Sequence, residues 1–220
     1  HKLDRKKRRV VAARKFFHLI ALLLFAPITW LDPDMMSLSY AIAIALLIVI
    51  EIIRCYNFGL EKGSNISSSL NAFYATFLDE KESIAAEGGL AITHITLILG
   101  SAIPLWMYQM IVNHSGENKV PLVFLPYVGV LALGVGDSVG AIAGITFGRH
   151  SWPGSSRTIE GSCCMFLSMF IPLYFISLED VFVLGKTLAI VTLVEASTSQ
   201  IDNLCLPLIG TTLVALAASS

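Results

Sequence analysis

The sequence is short of charge. Asp, Glu, Lys and Arg make up 14% of the 220 residues, against 55% hydrophobic residues and a mean hydropathy of +0.73. Soluble domains carry about 25% charged residues, so too few are present here to cover a water-facing surface. Cysteine is scarce as well. Cys55, Cys163, Cys164 and Cys205 show neither zinc-ligand spacing nor a disulfide framework, and fit as small apolar helix residues. The apolar runs do not alternate, which excludes a transmembrane β-barrel. No internal repeat is visible, which argues against a transporter built from related halves. The chain opens on His1 rather than Met without a cleavable signal layout, so further helices are expected upstream.

What is abundant is runs long enough to cross a bilayer, which takes about 17–25 apolar residues as helix. Seven are expected, near Phe16–Leu31, Leu38–Tyr56, Leu90–Val112, Pro121–Phe147, Ser162–Ser177, Val181–Ala196 and Leu204–Ala218. The fold class is an all-α polytopic transmembrane bundle: a basic arm over residues 1–15, then a membrane domain over 16–220. Eight of the fifteen Lys and Arg residues lie in that arm. Beside an apolar run this reads as a juxtamembrane anchor rather than a nucleic-acid arm. With the arm in the cytosol, Arg54, Lys62, Lys81, Arg149 and Arg157 fall on the same side, which brings thirteen of the fifteen cations together. The chemically interesting loops fall there too, as an enzyme using a cytosolic nucleotide requires.

The most informative stretch is Leu131–Ser162. Asp137 stands in an apolar span, where an acid is costly and points to function. Gly134 and Gly136 precede it, with Ser138 directly after. Gly140, Gly144 and Gly148 follow at intervals of four, on one helix face. Close helix packing through small residues accounts for such a stripe. The loop beyond it, with Arg149, a Trp152-Pro153-Gly154 turn and Arg157-Thr158-Ile159-Glu160-Gly161, adds what a nucleotide site needs. Glycines let backbone amides approach phosphates, arginines fork across phosphate oxygens, and Asp137 and Glu160 are hard oxygen ligands suited to Mg2+.

The order G-x-G-D-S, spaced glycines, W-P-G and R-T-x-E-G resembles the polyprenol kinase family, CTP-using lipid kinases acting on dolichol, phytol or diacylglycerol. A related layout occurs in phosphatidate cytidylyltransferases. Further matches are Arg14-Lys15-Phe16-Phe17-His18, Glu51-Ile52-Ile53-Arg54, the aromatic run into Leu78-Asp79-Glu80-Lys81, Leu90 with His94, Gly100 and Pro104-Leu105-Trp106, and Glu195-Ala196 with Gln200-Ile201-Asp202-Asn203-Leu204. The resemblance runs from about Arg14 to Pro207, and its order is nearest the members acting on dolichol. It implies a CTP-binding loop within Gly134–Gly161 and transfer of the γ-phosphoryl group to dolichol, giving dolichyl phosphate for protein glycosylation at the endoplasmic reticulum membrane. One departure is Ser156, where many relatives carry a second cation before the Arg-Thr pair.

The residues divide by expected role. Asp137, Glu160 and Asp202 are the catalytic candidates. With Glu195 they are also the candidate metal ligands. Gly134, Gly136, Ser138, Gly140, Gly144, Gly148, Arg149, Trp152, Arg157, Thr158 and Gly161 are the nucleotide-binding candidates. Arg14, Lys15 and His18 either grip a lipid phosphate or anchor a helix, Arg14 and His18 sharing a face by their four-residue spacing. Asp79 and Lys81 are loop candidates, His94 is a packed or catalytic residue, and Asp202 and Asn203 are helix caps or site groups. The partners expected are a polyprenol, CTP and the bilayer, with no nucleic acid. A cytidylyltransferase and a transporter stay open as other classes.

Overall fold

The computed structural model describes residues 18–56, 93–115, 123–155, 157–176, 181–198 and 202–219. Arg14, Lys15, Asp79 and Lys81, with the basic arm and the 57–89 loop, lie outside the described residues, as does the side chain of Asp202. Seven helices make up the described chain: α1 (His18–Leu31), α2 (Pro33–Tyr56), α3 (Thr93–Ser115), α4 (Leu125–Phe147), α5 (Ile159–Ile176), α6 (Val181–Ser197) and α7 (Asp202–Ser219). They match the seven expected apolar runs one for one. α2, α3 and α4 are long and apolar enough to cross a membrane on their own, while the apolar stretches of α1, α5 and α7 are shorter.

Two helix starts differ from expectation because of caps. α2 begins at Pro33, not Leu38. The Asp32 carboxylate accepts the Met35 N–H at 2.9 Å, and Pro33 takes the first helical position, where its missing N–H costs nothing. The gap between the expected runs Phe16–Leu31 and Leu38–Tyr56 thus shrinks to Asp32 alone. α5 begins at Ile159, not Ser162, because Thr158 Oγ1 accepts the Gly161 N–H at 3.2 Å.

α2 shows which solvent the bundle suits. Met36, Tyr40, Glu51 and Arg54 share its buried face, while Leu38, Ile42, Leu46, Val49 and Ile53 form a stripe exposed by 38–62%. In water such a stripe would be an aggregation liability; in a bilayer it is the lipid face of a membrane protein. The buried charges are paired. Arg54 donates to Glu51 through Nε at 2.9 Å and Nη2 at 2.6 Å, a fork that meets the need of a buried ion for a partner.

Two apolar clusters hold the helices. Met36, Tyr40, Ala102 and Leu105 join α2 to α3, with Phe25 and Ile28 of α1 against them. Phe124, Leu125, Ala132, Met165, Met169, Leu184, Leu188, Val191, Leu206 and Val214 join α4 to α5, α6 and α7. Met107, Tyr108 and Ile111 of α3 pack on the second cluster and so connect the two. Close approach of backbones fixes the crossings. A Cβ on Gly129 would strike Gly100 O and one on Gly100 would strike Asn203 O, so α3 meets α4 and α7 without intervening side chains.

Candidate active site

α4 changes its winding just before its acid. Leu131–Gly136 is a π-helical turn and Asp137 opens the α-helical remainder. A π-turn inserts an extra residue and shifts the register of the residues after it, and such turns cluster at functional sites. Asp137 and Ser138 are buried, at 5% and 3% exposure. Against them stands the first turn of α1. His18 Nδ1 lies 3.5 Å from Asp137 Oδ2, with both side chains almost fully enclosed. α1 comes this close because Gly134 lacks a side chain: a Cβ there would lie 2.9 Å from Leu22 Cβ.

From Gly136 onward α4 meets α5. A Cβ on Gly161 would lie 2.8 Å from Gly140 O and 3.2 Å from Gly144 Cα, and one on Gly144 would lie 3.0 Å from Thr158 Oγ1. Gly136 faces the Met169 sulfur, and Gly148 faces Thr158 Cγ2. Packing neighbours therefore fill the space beside Gly134, Gly136, Gly140, Gly144, Gly148 and Gly161. The stripe does what small residues do between membrane helices.

The segment after Gly148 is a short hairpin. Ser151 and Thr158 form an antiparallel bridge, with Ile159 N–H on His150 O at 2.8 Å and Trp152 N–H on Arg157 O at 3.0 Å. Its tip is a type II turn, Pro153 second and Gly154 third with φ +75°, closed by Ser155 N–H on Trp152 O at 3.1 Å. Trp152 Nε1 donates to Ser162 Oγ at 3.1 Å and anchors the tip to α5. The Glu160 carboxylate closes the foot, accepting the His150 backbone N–H at 3.2 Å and contacting His150 Nδ1 at 2.7 Å. The His150 ring, followed by the backbone N–H groups of Glu160, Arg149 and His150, lowers the Glu160 pKa from 4.5 to about 2.

This hairpin presents two arginines. Arg149 is exposed. Arg157 reaches α6, its Nε 3.0 Å from Glu195 Oε1, with the Glu195 side chain 8% exposed and that of Arg157 28%. The charged groups thus stand in two tiers. Arg157, Glu195, Glu160 and His150 surround the hairpin. Asp137, Ser138 and His18 lie deeper, Asp137 standing eleven residues before Gly148 on α4, about three helical turns or roughly 16 Å from the hairpin.

The structure brings together His18 with Asp137, Arg157 with Glu195, and Thr158 and Gly161 with the glycine face of α4. It does not bring Glu160 to Asp137 or Glu195, since its carboxylate turns to His150. Among the described residues no three His, Cys, Asp or Glu side chains converge as a metal-binding group. His94 is half-buried in the first turn of α3, and Asn203 follows Asp202 at the start of α7. His150 and Ser162 were missed by sequence reasoning. The available signal was the hairpin itself: two arms flanking a Pro-Gly turn pair their foot residues, here His150 with Glu160.

No family model matches the chain, and no solved structure matches it. Curated relatives do. The chain is similar to a human dolichol kinase, 33% identical over 214 residues, which is 93% of this chain and 38% of that protein. A Schizosaccharomyces pombe dolichol kinase is 30% identical over 89% of this chain and 37% of its own length. An Arabidopsis thaliana dolichol kinase is 28% identical over 94% of this chain and 35% of its own. The chain spans a little over a third of the length of these curated relatives. Nearly all of the chain's own length is thus similar to proteins named dolichol kinase from an animal, a plant and a fungus.

Proposed function

We propose that the protein phosphorylates dolichol, using CTP, at the end of the bundle that carries the hairpin. The observation that carries this reading is the two-tiered arrangement on α4: cationic side chains at the hairpin, and a buried acid about three helical turns deeper among lipid-facing helices. A kinase that joins a water-soluble nucleotide to a membrane alcohol needs that order. The names of the relatives supply dolichol as the acceptor. CTP as donor comes from the motif resemblance.

On this reading Arg149 and Arg157 bind phosphate oxygens of the nucleotide. Arg157 exchanges its bond to Glu195 for bonds to phosphate, keeping a charge-assisted partner in both states. Glu195, so released, is one carboxylate beside the phosphates, which suits Mg2+, an ion commonly held by one or two carboxylates plus phosphate oxygens. The ion would supply charge neutralisation. Asp137 orients the dolichol hydroxyl and takes its proton as the oxygen bonds to the γ-phosphorus. The bond from that phosphorus to the β–γ bridging oxygen breaks, its electron pair leaves with CDP, and the product is dolichyl phosphate. Positioning and charge neutralisation are the main demands of such a transfer. Glu160, Thr158, Trp152 and the glycines build the hairpin and hold it on α4; in this account they act through geometry. The positive-inside rule puts the hairpin in the cytosol, and the dolichol reading puts the membrane at the endoplasmic reticulum.

The test is transfer of label from γ-labelled CTP, beside γ-labelled ATP, to dolichol in detergent. Label in a lipid phosphate with CTP alone supports the reading. Release of pyrophosphate with formation of a CDP-lipid would replace it with a cytidylyltransferase. Asp137→Asn is expected to lower kcat about 100- to 10,000-fold, the usual worth of a positioned base.

A further inference from the structure

We infer that His18 is a positioning residue for the acceptor alcohol, acting through Asp137 by its Nδ1 atom. The inference rests on the kinase reading above and adds a residue from a helix remote in sequence. His18 is 4% exposed, and among the described residues its Nδ1 has no hydrogen-bond partner. Buried polar atoms are nearly always satisfied, and one left without a partner destabilises the fold. The nearest anionic atom among the described residues is Asp137 Oδ2 at 3.5 Å, a separation that ordinary closure around a bound substrate shortens to a hydrogen bond.

Three features of the fold converge on this contact. Gly134 allows α1 to settle against α4, with His18 O 3.5 Å and Leu22 Cβ 2.9 Å from where a Cβ would stand. The π-turn at Leu131–Gly136 resets the register so that Asp137 meets α1. The pair also bridges the two apolar clusters, α1 belonging to one and α4 to the other. A histidine merely packed in the core needs none of these. A carboxylate that must present one geometry to an alcohol needs a group holding it in plane, and an imidazole nitrogen on a separate, well-packed helix does that.

The experiment compares the full-length protein with His18→Ala, His18→Asn and His18→Gln. The amide nitrogen of Asn falls where Nδ1 was; that of Gln falls where Nε2 was. His18→Ala is expected to lower kcat for dolichol about 100-fold, the cost of a misplaced reacting group, with KM for CTP changed by less than about twofold. His18→Asn is expected to recover most of kcat and His18→Gln little of it, with all variants melting together. An unchanged kcat in His18→Ala overturns the inference, as does equal recovery by Asn and Gln. If His18→Ala does not fold, the Asn and Gln variants decide alone. A wild-type protein that transfers no phosphate to dolichol overturns the kinase reading itself, before any substitution is considered.

Discussion

Gly161→Ala separates two accounts of the glycine stripe. The new Cβ would lie 2.8 Å from Gly140 O and 3.2 Å from Gly144 Cα, both backbone atoms, and 3.0 Å from Thr158 Oγ1, which is fixed as a helix cap. None of these is the free end of a flexible side chain, so α4 and α5 must part. Overpacking of this kind costs about 1–3 kcal/mol, and the backbone contacts put it near 3. Alanine recovers about 1 kcal/mol of helix propensity. The net loss is about 2 kcal/mol. At about 2–4 °C per kcal/mol for a chain of this size, the melting temperature should fall by roughly 4–8 °C. Thermal unfolding in detergent measures it, beside the KM for CTP. A variant that melts with the wild type but no longer binds CTP would refute the packing account and return Gly161 to the phosphates.

Arg157→Ala should lower kcat/KM for CTP about 10- to 150-fold, the worth of a charge-assisted hydrogen bond to phosphate; an unchanged value with stable folding would remove Arg157 from the nucleotide site. Arg54→Leu leaves Glu51 buried without its forked partner and should cost about 3–5 kcal/mol in thermal unfolding, whereas Glu51→Leu with Arg54→Leu should cost much less; equal losses would mean the pair itself carries no coupling. Glu160 has a lowered pKa in the folded protein, about 2 against 4.5, so its contribution is complete above pH 4.5 and is lost as pH falls toward 2. Glu160→Gln should therefore show a shallower loss of stability across that window than wild type, and identical acid-unfolding curves would sink the His150–Glu160 closure.

The helices were legible because each is an apolar run of spanning length, and a chain with so little charge has few other ways to bury them. Their ends were less so. Asp32-Pro33 and Thr158 are capping signals that hydropathy overlooks, and both moved a helix start toward the N-terminus. In the site, Asp137 stood out as a lone acid in an apolar span. Its contact with His18 could not be read, since it joins residues 119 positions apart through a π-turn and a glycine contact that no spacing rule reports. Arg157 and Glu195 were each visible as charges, but their pairing depends on how α5 and α6 pack.

The same geometry changes what the Arg-Thr-x-Glu-Gly motif means. Thr158 caps α5, Glu160 ties the foot of the hairpin, and Gly161 admits α4; three of its four defined positions are explained by architecture. Only Arg157 extends away from that scaffold, to Glu195. A motif of this kind records a way of mounting one cation over a membrane helix more than it records a reaction. Enzymes of different chemistry can therefore share the layout, as the resemblance to cytidylyltransferases suggests, and what distinguishes them should lie deeper on α4. On the proposed reading the acid, its π-turn and the helix that covers it would decide which nucleophile reaches the phosphates: an alcohol held by Asp137 would attack the γ-phosphorus, whereas a lipid phosphate would have to reach the α-phosphorus. Substitutions at Asp137 and His18 should alter the choice and turnover of the acceptor, and substitutions in the hairpin should alter the hold on the nucleotide.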